Sequence, residues 1–251
     1  MDLGIKGKVA LITGGSMGIG GAAATLLAQE GCSIAISARR KPELDAAATR
    51  LHQETGAQVL ALAADCTQDS DVKAMVAKVV DRFGRIDILV NSIGSAKAGN
   101  FLELSEEDWQ QSLALKLMGQ IRVARAVYPI MAKNGWGRIV NVIGTHAQLA
   151  EAHAMPAGVA NAGLLNFTRA LAELGGPNGV LVNGVSPGTV NTARLEYLLN
   201  RGVEYDLKTI TLHRFAEAVE IANAIAFLAS ERASYICGSV LTVDGGQLKC
   251  I

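Results

Sequence analysis

The hydrophobic positions along the chain form two alternating patterns. Short runs rich in Val, Ile, Leu and Ala predict strands, and longer stretches with helical spacing predict helices. The predicted strands lie at 8–13, 33–37, 58–64, 86–91, 137–143, 179–185 and 239–243; the helices lie at 42–54, 69–83, 106–133, 156–174 and 216–230, after an alanine-rich helix behind the first strand. Strands this apolar are typically covered on both faces. The pattern predicts one α/β domain over 1–251, a doubly wound parallel sheet of about seven strands with helices on both faces.

One long segment, 191–213, fits neither pattern, and a loop or lid of this length near a strand end is often functional. It contains Tyr197 and Tyr205, and it mixes apolar side chains with Arg194 and Arg201. Two interpretations stay open. The segment contacts an apolar substrate that carries an anionic group, or it forms an amphipathic lid helix whose apolar face covers the core.

Composition narrows the function classes. Half of the 251 residues are hydrophobic, and 23 Lys and Arg balance 23 Asp and Glu, so nothing in the charge favours nucleic acid or an anionic membrane as a partner. The apolar runs are too short to span a bilayer. Four cysteines without metal-ligand spacing, and no cleavable signal before the first strand, favour the cytoplasm. The four histidines form no HxxxH or HExxH pattern, so no metal site is predicted. The expected partners are a small-molecule substrate or ligand and other subunits.

A glycine-rich turn, TGGSMGIG at 13–20, directly follows the first predicted strand and opens the alanine-rich helix. Gly14, Gly18 and Gly20 permit a tight turn, close approach of the backbone to a pyrophosphate, and close packing of helix on strand. An ordinary strand-to-helix connection is the alternative. The position between first strand and first helix favours dinucleotide binding.

The end of the second strand bears on the choice of dinucleotide. An acidic residue there would bind the ribose 2′-hydroxyl of NAD, whereas arginine pairs with the 2′-phosphate of NADP. Ala38 occupies the acidic position and Arg39 and Arg40 follow it. NADP(H) is therefore preferred over NAD(H), unless both arginines are simply solvated surface charges.

Further motifs follow in series: AADC at 63–66, VNSIG at 90–94, GRIVNVIG at 137–144, VNGVSPGTVNT at 182–192 and LTVDGG at 241–246. With the glycine turn, these resemble the short-chain dehydrogenase/reductase family over essentially the whole chain, which implies a Rossmann-type domain and NADP-linked carbonyl or alcohol chemistry. The resemblance implies cofactor contacts along the phosphates, adenine, ribose and nicotinamide from Gly14, Ser16, Met17, Gly18, Ile19, Gly20, Asp65, Cys66, Asn91, Ile93, Gly94, Pro187, Gly188, Thr189 and Thr192. Met17 stands where many NADP-preferring members carry a basic residue.

The same resemblance locates the catalytic positions, and none of the four keeps the family residue. Family members use an asparagine, a serine, a tyrosine and a lysine; the serine polarises the carbonyl, and the tyrosine transfers the proton while the lysine lowers its pKa. Here Lys116 occupies the asparagine position, Gly144 the serine, Ala157 the tyrosine and Asn161 the lysine. The standard mechanism is therefore absent.

Two interpretations of this altered site remain. In the first, the chain is an enzyme that uses other groups, and the replacement candidates are Lys116, Thr145, His146 and His153. Each also has an ordinary structural explanation. Thr145 caps a turn, the two histidines are exposed loop residues, or Lys116 points outward into solvent. In the second, the chain is a non-catalytic member: either a protein that binds a cofactor or ligand, or an inactive subunit in a hetero-oligomer with an intact paralogue. The lost side chains would then leave cofactor binding weakened or absent. The resemblance implies a dimer or tetramer in either case.

Overall fold

A computed structural model describes residues 2–94 and 96–249. Its strands are β1 Val9–Thr13, β2 Ser33–Ala38, β3 Val59–Ala63, β4 Ile88–Asn91, β5 Gly137–Val142, β6 Val180–Pro187, β7 Val190–Asn191, β8 Ala216–Glu217 and β9 Val240–Val243. Seven of them form a parallel sheet in the order β3-β2-β1-β4-β5-β6-β9, and β7 pairs with β8 separately. The predicted seven-stranded, doubly wound parallel sheet is confirmed.

The helices connect these strands and cover both faces of the sheet. They are α1 Gly18–Gln29, α2 Lys41–Thr55, α3 Asp69–Phe83, α4 Glu106–Lys116, α5 Met118–Asn134, α6 Met155–Gly175, α7 Ala193–Leu199 and α8 Ala218–Leu228. One hydrophobic layer packs α1 and α8 on the sheet through residues such as Leu27 and Ile225, and the other packs α3 and α5 through Val79 and Val127. The central strands β1, β4 and β5 are thus buried along their whole length, as expected for strands covered on both faces, whereas the edge strands β3 and β9 are partly exposed.

The predicted helix at 106–133 is two helices, α4 and α5, with the interruption at Leu117. Ser105 starts α4 through a capping box with Asp108, as its sequence of a hydroxyl before acidic residues suggests. Near the interruption the guanidinium of Arg122 donates to the carbonyl oxygen of Ala114 at 3.2 Å, so a side chain takes an acceptor inside the helical ladder. The interruption places Lys116 at the end of a helix.

The segment 191–213 is partly ordered into short elements rather than one lid helix. It begins in β7, continues through α7, and ends beyond a single helical turn at Leu207–Thr209. Within residues 2–94 and 96–249, no helix combines the length and the apolar character that crossing a membrane requires.

Candidate active site

A cleft of about 1150 Å³ opens at the carboxyl ends of the central strands. It lies where the sheet order reverses, between β1 and β4, which is the usual ligand position in an open parallel sheet. The glycine turn forms one wall, and the segment after β6 forms the other. The two walls approach closely, because a Cβ atom added at Gly18 would lie 3.5 Å from Cγ2 of Thr192.

The glycine turn has the conformation that close packing demands. Gly14 has φ +66°, and a Cβ atom there would lie 2.6 Å from the carbonyl oxygen of Ser92. A Cβ atom at Gly20 would collide with the carbonyl oxygen of Gly14. Helix α1 begins at Gly18, directly after Met17. The thioether of Met17 accepts no hydrogen bond from the first backbone amides of the helix. The first amides of α1 are therefore available to an anion in the cleft.

Most of the residues predicted to contact the cofactor line this cleft: Gly14, Ser16, Met17, Gly18, Ile19, Gly20, Arg39, Arg40, Cys66, Ile93, Gly94, Pro187, Gly188, Thr189 and Thr192. Asp65 and Asn91 do not line it. The carboxylate of Asp65 accepts from the amide of Thr67 at 2.9 Å, and the fully buried amide of Asn91 donates to Oδ1 of Asn141 at 3.0 Å. In this structure both side chains hold the edge of the cleft in shape.

The two arginines after β2 differ in their partners. Both are exposed, and Nη1 of Arg40 lies 2.7 Å from Oε1 of Glu43. Within the part of the chain that the structure describes, Arg39 makes no ion pair. Arg39 is therefore the more available of the two for an anionic group.

The four residues at the family's catalytic positions all line the cleft. Gly144 has φ +125°, and Asn161 packs directly against it: a Cβ atom at Gly144 would lie 3.0 Å from Nδ2 of Asn161. Asn161 is only 2% exposed, and its Oδ1 has no hydrogen-bond partner among the described residues. An unsatisfied buried acceptor is costly, so this oxygen is suited to a donor from a bound molecule.

Lys116 projects into the cleft from the end of α4. Its Nζ donates to the carbonyl oxygen of Ile143 at 2.9 Å, and its aliphatic stem covers Gly94, where a Cβ atom would lie 2.7 Å from Cγ of Lys116. The side chain is half-buried. Burial lowers the pKa of Lys116 from 10.5 to about 8, because desolvation disfavours the ammonium form. The amine therefore lies next to the serine position, with a pKa close to neutral pH.

The remaining replacement candidates lie on the loop between β5 and α6. Thr145 is buried, while His146 and His153 both approach Glu151, a residue that the sequence patterns did not single out. The distance from Nε2 to Oε2 of Glu151 is 2.9 Å for His146 and 3.6 Å for His153. The spacing H-x4-E-x-H was the available signal. It escapes a search for HxxxH or HExxH, since those patterns describe ligands on a helix.

The two tyrosines of segment 191–213 have different surroundings. Tyr205 lines the cleft, and burial raises the pKa of its hydroxyl, with Arg194 opposing and Glu151 adding to the shift. Tyr197 does not line the cleft; the guanidinium of Arg201 lies over its ring, 4.7 Å from the centroid. Arg194 donates to the carbonyl oxygen of Ala96 at 2.9 Å. Tyr205, Arg194 and Glu151 all line the cleft.

Known proteins resemble this chain over nearly its whole length. The family model described as enoyl-(acyl carrier protein) reductase matches residues 14–247. This chain is 36% identical, over 98% of both chains, to the (2S)-[(R)-hydroxy(phenyl)methyl]succinyl-CoA dehydrogenase subunit BbsD of Thauera aromatica. It is also 36% identical to the 3-oxoacyl-[acyl-carrier-protein] reductase FabG of Thermotoga maritima, over 96% of this chain and 98% of that protein. The crystal structure of L-sorbose reductase from Gluconobacter frateurii, complexed with NADPH and L-sorbose, superposes with a TM-score of 0.93 at 36% identity over all of both chains. With this agreement in sequence and fold, the chain belongs to the short-chain dehydrogenase/reductase family of oxidoreductases.

Proposed function

We propose that the protein is an NADP(H)-linked oxidoreductase of carbonyl or alcohol substrates with an altered acid/base group. The observation that carries the proposal is the amine of Lys116, which lies in the cleft on the carbonyl oxygen of Ile143, beside the position where relatives carry serine. When bound, the dinucleotide supplies or accepts the hydride. The protein must supply the proton that accompanies it.

Lys116 suits that task. A general acid or base works best when its pKa lies near the working pH, and burial brings the pKa of this lysine to about 8. The ammonium form donates a proton to a carbonyl oxygen during reduction, and the amine form accepts one from an alcohol during oxidation. Asn161, with an unpaired buried Oδ1, offers an acceptor for a hydroxyl group in the same cleft.

The cofactor preference rests on Arg39 and Arg40. Both line the cleft at the end of β2, and Arg39 is the less engaged of the two. A guanidinium pairs with a 2′-phosphate by charge-assisted hydrogen bonds. The complex of L-sorbose reductase with NADPH is in keeping with this preference.

Two measurements test the proposal in order. The purified chain is titrated with NADPH and with NADH, following nicotinamide fluorescence; we expect micromolar binding with NADPH preferred. A panel of ketones, 3-oxoacyl thioesters and sugar-derived carbonyls is then screened for NADPH consumption with the wild type, Lys116→Met and Lys116→Arg. Turnover in the wild type that survives unchanged in Lys116→Met would exclude Lys116 as the proton donor.

A non-catalytic role is the second proposal, and Gly144 favours it. The serine, tyrosine and lysine of the family are replaced here by groups without an ionisable proton, and Asn161 fills the space beside Gly144. In this case the chain binds NADPH without turnover and completes an oligomer with an intact paralogue. Co-purification of a paralogue whose activity rises on adding this chain would support it, and turnover by the chain alone would exclude it.

The proposal also covers the oligomeric state of the protein and its location in the cell. The resemblance implies that dimers and tetramers form through the helices corresponding to α5 and α6. Both helices carry exposed apolar side chains: Met118 on α5, and Val159 and Leu174 on α6. We propose a homo-oligomer, to be checked by light scattering. A cytoplasmic location is proposed from the free thiols of Cys32, Cys66 and Cys237.

A further inference from the structure

Three metal-ligating side chains converge at the mouth of the cleft. His146, Glu151 and His153 each bring one ligand atom to a common point, and these atoms all lie within 4.8 Å of one another. Nε2 of His146 is 2.9 Å from Oε2 of Glu151, and Nε2 of His153 is 3.6 Å from the same oxygen. The imidazole rings meet edge to face, with centroids 6.4 Å apart. All three residues line the cleft.

The spacing suits a small divalent ion. Zinc bonds to histidine nitrogen and carboxylate oxygen at about 2.0–2.2 Å, so a tetrahedral ion holds neighbouring ligand atoms roughly 3.3 Å apart. The two measured distances to Oε2 lie on either side of that value. The carboxylate oxygen is thus already spaced from both imidazole nitrogens as in a metal site, and the whole ligand set lies within 4.8 Å.

The backbone already holds the cluster together. His146 lies in the single helical turn Thr145–Ala147, and His153 lies in the turn Ala152–Ala154. The amide of Ala154 donates to the carbonyl oxygen of Glu151 at 3.0 Å, and the amide of Gly99 donates to that of His153 at 2.9 Å. These bonds order the backbone of the loop, so that metal binding has to order only the three side chains.

Charge and access also fit. Within residues 2–94 and 96–249, the ion-pair partners of Glu151 are the two histidines, and no lysine or arginine competes for its carboxylate. One carboxylate with two neutral imidazoles leaves one negative charge for a divalent ion to offset. The three side chains are each 32–50% exposed, so an ion can enter from solvent and retain open coordination positions toward the cleft.

We propose that His146, Glu151 and His153 form a binding site for a divalent transition-metal ion, with zinc the best match to two imidazoles and one carboxylate. The open positions face the cleft, where they take water or an oxygen of a carbonyl, hydroxyl or carboxylate ligand. The site adjoins the catalytic positions, because a Cβ atom at Gly158, next to Ala157, would lie 3.3 Å from the carbonyl oxygen of His146. Where the proposed oxidoreductase function also holds, the bound ion polarises the substrate oxygen, a role that the family serine performs elsewhere.

Metal binding is measured without reference to turnover. Chelator-treated protein is titrated with Zn²⁺ by calorimetry, and with Co²⁺ while recording its visible absorption, on the wild type, Glu151→Gln, the double variant His146→Gln/His153→Gln, and the control His52→Gln. His52 is an exposed histidine at the end of α2, remote in sequence from the cluster. Circular dichroism and an NADPH titration verify that each variant is folded and retains its cofactor cleft.

The wild type is expected to bind one equivalent of Zn²⁺ at micromolar concentration or tighter, and to give Co²⁺ bands of a nitrogen- and oxygen-ligated, low-symmetry site. Glu151→Gln should weaken binding at least about tenfold and the double variant should abolish it, whereas His52→Gln should match the wild type. Absence of wild-type binding, an equal loss in His52→Gln, or thiolate charge-transfer bands would overturn the proposal. Zn²⁺ binding without NADPH binding would instead refute the proposed oxidoreductase function and leave the metal site standing.

Discussion

Gly144, which by resemblance occupies the family's serine position, provides the sharpest test of the structural cost of a side chain in this site. The residue has φ +125° and ψ 149°, in a region of backbone conformation that is nearly restricted to glycine. A side chain there costs about 1–3 kcal/mol in backbone strain. Its Cβ atom would also lie 3.0 Å from Nδ2 of Asn161, closer than the roughly 3.5 Å of an unstrained contact.

We therefore expect Gly144→Ala to lower the free energy of unfolding by about 2 kcal/mol, and the Tm by about 4–8 °C for a chain of this size. Gly144→Ser, which restores the family residue, should lose about as much and gain no turnover. Gly176→Ala is the matched control: its φ is −51° and no atom lies within 4 Å of the added Cβ, so its stability should stay within about 1 kcal/mol of the wild type.

The measurement is thermal unfolding followed by circular dichroism at fixed protein concentration. The double variant Gly144→Ala/Asn161→Ala separates the two costs, because it removes the side-chain contact and leaves the backbone strain in place. Equal melting temperatures for Gly144→Ala and Gly176→Ala would refute the reasoning. That result would mean that position 144 accepts a side chain at no cost, and that the loss of the serine imposes no structural barrier to its return.

The remaining predictions concern charge. Lys116→Met should raise the free energy of unfolding at pH 7 by at most about 1–3 kcal/mol, measured as a higher Tm, because the native state holds a desolvated ammonium below its pKa of about 8. The gain should disappear as the pH rises from 8 to 10.5. In that range the native lysine is neutral while the unfolded one is still protonated. If the chain turns over substrate, the same variant should lower the rate by about 10² or more at pH 7. Arg39→Gln should weaken NADPH binding about tenfold and leave NADH binding unchanged. Arg40→Gln should have the smaller effect on NADPH binding, because Arg40 already pairs with Glu43. Equal losses of affinity for both cofactors would contradict the 2′-phosphate assignment.

The fold could be predicted from the sequence because its signals are local and repeated. Each strand buried on both faces appears as an unbroken apolar run, and each connecting segment carries helical spacing. The strand order and the position of the cleft come from the structure, and both agree with the general behaviour of open parallel sheets. The interruption at Leu117 was missed, since a side-chain hydrogen bond from Arg122 to the carbonyl oxygen of Ala114 leaves no trace in hydrophobic periodicity.

The candidate site was only partly predictable, because its properties arise from contacts between distant segments. Lining residues such as Ser16 and Thr192 could be located by motif, but the lowered pKa of Lys116 depends on burial against Gly94 and Ile143. The convergence of His146, Glu151 and His153 depends on the course of the loop that joins the turns Thr145–Ala147 and Ala152–Ala154. The spacing H-x4-E-x-H of this loop is not one of the helical ligand patterns, so the sequence led to the prediction that no metal site exists.

By resemblance Lys116, Gly144 and Asn161 occupy three of the family's catalytic positions, and in the structure all three meet at the Ile143–Gly144 segment. Gly144 has a conformation that disfavours serine, and Nδ2 of Asn161 would crowd a side chain at position 144. Lys116 donates to the carbonyl oxygen of the preceding Ile143. A lysine at 161 would bring a second ammonium near the Ile143–Gly144 segment, where repulsion and desolvation would oppose both charges. Reverting Lys116, Gly144 or Asn161 alone therefore disturbs this segment without restoring the family's proton transfer. The proposed oxidoreductase activity uses this arrangement as it stands, which is why Lys116 is the first residue to vary.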